Sequence, residues 1–412
     1  MEFPTNETGY DDSGGVKGNE SLGFCDEEAN PNFRLFMISF GMLIALVGCV
    51  CNLFLFSALL GVRGYMYQCF LAFLDFTMCE LFVQVFWLLR ISQVLEIKWL
   101  YDGIQLTYTI TFVLSRLVQI AIPYVLIAIS AERFGQIKGR SNFHSKGSRR
   151  LLICFIIATI TIFMRGPLIF AVSVKPMEGC DKYFYSKILQ LTKFGESNTW
   201  RILDFMQQFL NLFVTFLILC LLNILIVQKL KKSHQRARRQ SASVSHTLEL
   251  TCKLPKSQSM RKLDDETKRE QKRVRCAIRT TTVIISCYLA CNALNFLLFC
   301  LEQAASKSRH LSSLIFNDET QQFTFGYLFM SDLGTNLFVL SSAIRVFIYY
   351  KYNPEIRKQI RNSLPFYNML IMQKRRRKSR RMDPIVSING NASASGGGNE
   401  SLPLQTIQFI DN

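Results

Sequence analysis

Apolar residues along this chain gather into long blocks instead of recurring at the spacing of a surface helix. Blocks of roughly 20 or more mostly apolar residues run from about Leu35 to Leu60, Cys69 to Leu89, Leu106 to Ser130, Leu151 to Val174, Phe205 to Val227, Ala277 to Leu301 and Phe323 to Tyr350. At ~1.5 Å per residue, each predicts a helix long enough to cross a ~30 Å hydrocarbon core. The run Phe36-Met37-Ile38-Ser39-Phe40-Gly41-Met42-Leu43-Ile44-Ala45-Leu46-Val47 is apolar on every face, whereas a helix of a soluble core keeps a polar face. The pattern predicts an all-α membrane protein. Seven transmembrane helices occupy about residues 34–350, between a tail of 1–33 and a tail of 351–412.

Charge gives the bundle a direction. Residues before Arg34 include Glu2, Glu7, Asp11, Asp12, Glu20, Asp26, Glu27 and Glu28 against the single base Lys17. Residues 131–150, the long segment Gln228 to Arg275 and the tail after Tyr350 hold most of the lysines and arginines. Cytoplasmic loops carry excess Lys and Arg, so the N-terminus is expected outside and the C-terminus in the cytosol, which an odd number of spans satisfies. The first residues are polar and acidic, so no signal peptide is expected. The net charge of +18 then reads as basic charge beside anionic lipid, with no nucleic-acid partner implied. Asn6 and Asn19, each in an acceptor sequon of the outer tail, are candidate glycosylation sites, whereas the sequons at Asn391 and Asn399 fall on the cytosolic side.

The segment Gln228 to Arg275 mixes basic clusters with Ser-Ala-Ser-Val-Ser and is expected to be a mostly disordered loop flanked by helical extensions. Ser241, after Arg238-Arg239-Gln240, has the form of a basophilic-kinase substrate. Residues 353–361 predict a short cytoplasmic amphipathic helix, and the cluster 374–381 suits anionic lipid headgroups. Most of the 13 cysteines fall within spans and are expected as free thiols. Cys25 and Cys180 are both expected outside and are candidates to pair. His144, His234, His246 and His310 are read as loop residues without metal-ligand spacing. With no nucleophile elbow or phosphate loop either, neither an enzyme, a metal nor a cofactor is expected.

Individual residues sharpen this picture. The first span contains Gly48-Cys49-Val50-Cys51-Asn52, the second Leu71-Ala72-Phe73-Leu74-Asp75, and the first outer loop Trp99-Leu100-Tyr101-Asp102-Gly103. The third span ends in Glu132-Arg133-Phe134 and the seventh in Ile348-Tyr349-Tyr350. In order and spacing these motifs resemble the rhodopsin-like G protein-coupled receptors over nearly the whole of Asn32 to Arg361. A closer resemblance, to nematode-type receptors of FMRFamide-like neuropeptides, rests on Tyr65-Met66-Tyr67-Gln68-Cys69-Phe70-Leu71-Ala72, Leu222-Asn223-Ile224-Leu225-Ile226, Tyr288-Leu289-Ala290-Cys291-Asn292 and Phe347-Ile348-Tyr349-Tyr350. The resemblance implies a plasma-membrane receptor that takes an extracellular peptide and activates a heterotrimeric G protein. It implies an activation switch of Glu132, Arg133, Phe134 and Tyr349, in which Glu132 restrains Arg133 at rest. It also implies a G protein site framed by Arg133, Lys138, Arg140, Lys229, Lys231, Lys232, Arg273 and Arg275. The sixth span begins Lys272-Arg273-Val274-Arg275 without the acid usual in the family, so any resting lock is expected to rest on Glu132 alone.

The departures carry information too. Tyr108 stands where the family has a third-span cysteine, so Cys180 lacks its usual partner. The family's prolines are missing near Thr215, at Cys291-Asn292-Ala293-Leu294 and at Arg345-Val346, so those helices are expected to lose built-in hinges. An ionisable residue deep in a bilayer needs a partner or a role. In relatives the aspartate at Asp75 helps hold sodium. Here Ile122 and Arg345 replace its companions, and Asp75 and Arg345 are expected to form an ion pair near Asn52, with snorkelling of Arg345 the alternative. Nearer the outer face, Glu80, Gln84, Ser115, Arg116, Gln119, Arg165 and Gln207 are candidate ligand-binding residues, packing alone being the other reading. Ser115 stands where amine receptors carry an aspartate, which argues against an aminergic ligand and leaves a peptide or an acidic metabolite. Two rivals remain: a chemosensory receptor on the same fold, and a transporter or channel, which would show the internal repeat this sequence lacks.

Overall fold

Pro31 opens the first helix at the position where a missing backbone N–H costs nothing, and the helix runs to Leu59 as α1. The structure, a computed structural model, describes residues 31–60, 62–137, 147–176, 183–248, 258–305, 309–317 and 322–363. After α1 come α2 (Met66–Val94), α3 (Lys98–Ile137), α4 (Gly147–Arg165) and α5 (Asn198–Lys229, helical on to Leu248). They are followed by α6 (Gln258–Ala305), α7 (Phe325–Tyr352) and α8 (Pro354–Ser363). Among the described residues, α1 to α7 supply the seven helices long and apolar enough to cross a membrane. This is a seven-span membrane protein.

The bundle is apolar outside as well as inside. Phe163 is 83% exposed, and Phe36, Phe40, Leu43, Val47, Val50 and Phe54 line one exposed face of α1. In water such a face would aggregate; among acyl chains it is the matched surface. Helix contact therefore relies on close packing and small residues. A Cβ added to Gly48 would lie 2.6 Å from Cys79 Sγ and 3.1 Å from Ala343 Cβ, so the glycine lets α1 settle against α2 and α7. The central core packs Leu55, Leu71, Ile122, Val125, Leu126, Leu219 and Ile285, all essentially inaccessible.

At one end, the hairpin end, β1 (Val172–Pro176) and β2 (Lys187–Leu191) pair antiparallel, with Val172 opposite Leu191 and Pro176 opposite Lys187. The two-residue strands β3 (Phe316–Asn317) and β4 (Gln322–Phe323) pair in the α6–α7 connection. At the opposite end, the α8 end, Asn353 Oδ1 caps α8 by accepting from the amides of Glu355 (3.1 Å) and Ile356 (3.2 Å). Ile356 is fully buried and seats α8 on the core.

Several sequence expectations need correction. The connection between α2 and α3 is only 95–97, and Trp99 to Gly103 form the first turns of α3 instead of a loop. That helix starts at Lys98 because its polar residues find partners: Asp102 receives bonds from the hairpin. The fourth helix stops at Arg165, well before Val174, where Gly166-Pro167 intervenes and the β-branched residues from Val172 turn into β1. The segment Gln228 to Arg275 is helical to Leu248 and again from Gln258, since Lys, Arg, Gln and Ala favour helix as readily as they favour solvent. His234, His246 and His310 lie in helices, not loops. Nor are all hinges lost without proline: π-helical turns interrupt α2 at Val83–Leu88 and α5 at Phe209–Val214, the second just before Thr215.

Candidate functional site

Three polar layers interrupt the apolar bundle. In the middle layer Asn52 donates to the carbonyls of Gly48 (3.0 Å) and Ser342 (3.2 Å), tying α1 to α7. Beside it Arg345 Nη1 donates to Asp75 Oδ1, and both side chains are 1% exposed. The guanidinium also lies over the Tyr288 ring, 5.6 Å from its centroid. Arg345 therefore turns into the core and does not snorkel. Nε and Nη2 of Arg345 have no hydrogen-bond partner among the described residues. Tyr349, buried one turn further along α7, lies within electrostatic reach of Arg345 and of Arg133.

At the α8 end the arrangement differs from expectation. Neighbouring residues on a helix point about 100° apart, so Glu132 does not face Arg133. Its carboxylate accepts instead from Arg150 of α4, at Nη2 (2.7 Å) and Nε (3.2 Å), and from Gln136 Nε2 (3.1 Å). Arg150 Nη1 also donates to the Gly64 carbonyl (2.7 Å), joining the α1–α2 turn, α3 and α4. Among the described residues, Arg133 Nη1 donates to Gln136 Oε1 (2.9 Å), while its Nε is buried with no hydrogen-bond partner. A chain of hydrogen bonds thus runs from Arg150 through Glu132 and Gln136 to Arg133, and Phe134 is half-buried beside it. Lys229, Lys231, Lys232, Arg273 and Arg275 are exposed around this end. Tyr65, in the short turn before α2, donates to Glu355 Oε2 (2.5 Å), and burial together with that carboxylate pushes its phenol above the ordinary range.

Toward the hairpin end lies the third layer. Arg165 of α4 pairs with Asp204 of α5, which also accepts from Gln208 Nε2 (2.7 Å). Arg116 donates to Gln119 Oε1 (3.2 Å) and lies 5.1 Å from the Phe112 ring centroid. Arg165 and Asp204 are within its electrostatic reach. Gln207 is buried, with Oε1 unpartnered among the described residues. Glu80 and Gln84 bond to each other along α2 instead of to the arginines, and the Ser115 hydroxyl donates to the Phe112 carbonyl (2.7 Å). Above this layer the hairpin is clasped to α3. The Tyr183 hydroxyl sits 2.7 Å from both Asp102 oxygens, Lys187 Nζ donates to Asp102 Oδ1 (3.2 Å), and Gln93 donates to the Phe184 carbonyl (3.2 Å). The bond to Asp102 holds the Tyr183 phenol above its ordinary range.

No family model and no curated protein matches the sequence. The shape does match: the crystal structure of squid rhodopsin superposes with a TM-score of 0.55 at 15% identity, over 85% of this chain and 91% of that one. The fold is that of rhodopsin. Within the rhodopsin fold, Asn52, Asp75 and Arg345 are all buried, Asp75 bonded to Arg345 and Asn52 to the α7 backbone, and Arg116 with Gln119 and Arg165 with Gln207 lie on helices α3, α4 and α5. Glu80, Gln84 and Ser115 are not bonded into that second group. Cys25, Cys180, Asn6, Asn19, Lys138, Arg140 and the basic cluster 374–381 lie outside the described residues, and Ser241 lies in a helix whose side chains there are not described. The ten described cysteines are free thiols. Arg150, Asp204, Glu355 and Asp102 are partners that sequence reading missed. Each stands at the margin of an apolar block, and an intramembrane charge of opposite sign across the bundle was the available signal.

Proposed function

We propose that this protein is a G protein-coupled receptor of the plasma membrane, with its N-terminus outside and the α8 end in the cytosol. It binds an extracellular peptide, of the FMRFamide-like kind its motifs resemble, and promotes nucleotide exchange on a heterotrimeric G protein. The observation that carries this reading is the state of Arg133. Within a rhodopsin fold it stands at the α8 end of α3, held by one glutamine and ringed by exposed bases on α5 and α6. Opening that end exposes a guanidinium to a partner's carbonyls and carboxylates. The ligand drives the opening by binding the open form more tightly than the closed one. Peptide rather than small amine is supported by Ser115, whose hydroxyl is spent on its own helix and offers an ammonium no charge. Glycosylation at Asn6 and Asn19, phosphorylation at Ser241, a Cys25–Cys180 bridge and anionic lipid at the basic tail belong to the same reading.

The test is nucleotide exchange on purified G proteins of each class by the protein in nanodiscs, with a library of amidated peptides as probes. Peptide-dependent exchange that disappears in Arg133→Ala is the expected result. Failure to accelerate exchange on every class, together with movement of a solute across the bilayer, replaces the receptor by a transporter.

A further inference from the structure

The sixth span lacks the acid that its relatives use to hold the helix at rest, yet α6 is not loose. Arg273 Nε lies 2.6 Å from Glu355 Oε1, on the first turn of α8. The other oxygen of the same carboxylate accepts from the Tyr65 hydroxyl at 2.5 Å. One glutamate therefore joins three separate pieces of the α8 end: the turn between α1 and α2, helix α6 and helix α8. Six residues along α6, or about 9 Å, Arg279 lies over the Tyr352 ring, 5.2 Å from its centroid, where α7 turns into α8. Glu355 is held in place by its neighbours: Asn353 caps its amide, and the next residue, Ile356, is fully buried in the core. Tyr65 also lies within electrostatic reach of Arg133, so the hub stands beside the arginine described above.

We propose that Glu355 is the resting latch of α6: a carboxylate on α8, anchored by Tyr65, that holds the α8 end of α6 inward through Arg273. The charges are placed the opposite way from a lock with its acid on α6, since here α6 brings the base and α8 the acid. This proposal deepens the receptor reading by naming the regulation of its G protein site. Arg273, exposed on the rim of that site, is engaged while the latch is shut and free for a partner when it opens. Because Arg273 is 71% exposed and Glu355 40%, the pair is a bias and not a bolt.

The experiment measures distance and does not require a ligand. Nitroxides are introduced on bio-orthogonal side chains at exposed positions Arg275 of α6 and Lys351 at the foot of α7, and distance distributions are recorded for the protein in nanodiscs. Glu355→Gln and Arg273→Gln are each expected to raise the share of the longer distance about two- to fivefold, as loss of a partly exposed ion pair allows. Tyr65→Phe is expected to do so more weakly. The swap Arg273→Glu with Glu355→Arg is expected to restore the wild-type distribution. Unchanged distances in the single variants, or a swap that behaves like the sum of its parts, overturn the latch. If the distances respond but no G protein class exchanges nucleotide in any variant, the latch stands and the receptor reading falls.

Discussion

Replacing Asp75 by asparagine leaves the Arg345 guanidinium 1% exposed at the centre of the bundle with no counter-charge. Breaking a buried pair by removing one partner costs about 3–5 kcal/mol, because the survivor stays desolvated and uncompensated. At about 1.4 kcal/mol per tenfold, that is a factor of about 10²–10³·⁵ in the folded-to-unfolded ratio. Arg345→Gln carries a comparable cost from the Asp75 side, plus about 0.5–2 kcal/mol for the lost stacking on Tyr288. The double variant Asp75→Asn with Arg345→Gln removes both charges and leaves two amides of similar size, so most of the penalty should vanish. The coupling energy is therefore expected to exceed about 2 kcal/mol. Reversible unfolding in mixed micelles, titrated with denaturing detergent, gives all four stabilities. The guanidinium also engages the carboxylate that a sodium ion bound at Asp75 would need. Exchanging sodium for choline at constant ionic strength should leave the wild type unchanged and should destabilise only variants that keep Asp75 but lose Arg345. Costs that add to within about 0.5 kcal/mol would refute the pairing argument.

Further outcomes follow at the two ends of the bundle. Arg150→Gln and Glu132→Gln should each raise basal nucleotide exchange several-fold, because both cut the chain that ends on Gln136 and Arg133. Arg133→Ala should abolish exchange at normal surface expression, and a silent Arg150→Gln would show that Glu132 acts without α4. At the hairpin end, Asp102→Asn removes the charge that Tyr183 and Lys187 share. Amide hydrogen exchange across β2 should then quicken about two- to fivefold at unchanged global stability, and identical protection would show the clasp to be idle.

The seven spans were legible because a block of about 20 apolar residues is an average property that no partner alters. Their ends were not, because an end depends on whether polar groups find partners. The apolar pattern of α3 begins at Leu106, but Asp102 is satisfied by a hairpin 81 residues away in sequence, and the helix starts at Lys98. Asp75 and Arg345 could be matched from sequence since opposite charges within hydrocarbon have few alternatives. The bonding of Glu132 was harder to read: neighbours in sequence diverge on a helix, so its carboxylate bonds Arg150, at the margin of the next block, while its charge still acts on Arg133. Asp204 escaped notice because it falls one residue before the fifth apolar block, where an acid reads as a boundary marker.

The π turns of α2 and α5 carry a consequence for numbering itself. Such a turn holds about one residue more than the α-helical turn it replaces, so everything beyond it is rotated by about 100° relative to an uninterrupted helix. Counting outward along α5 from Thr215 crosses Phe209–Val214 before it reaches Gln207 and Asp204. Counting along α2 from Asp75 enters the turn at Val83, so Gln84 already lies inside it. Position-by-position transfer from a straight-helix relative therefore slips by one on the far side of each turn and assigns the wrong face. A one-residue deletion inside the α5 turn would bring the count back into step with such a relative, at the expense of swinging the Asp204 side chain away from Arg165.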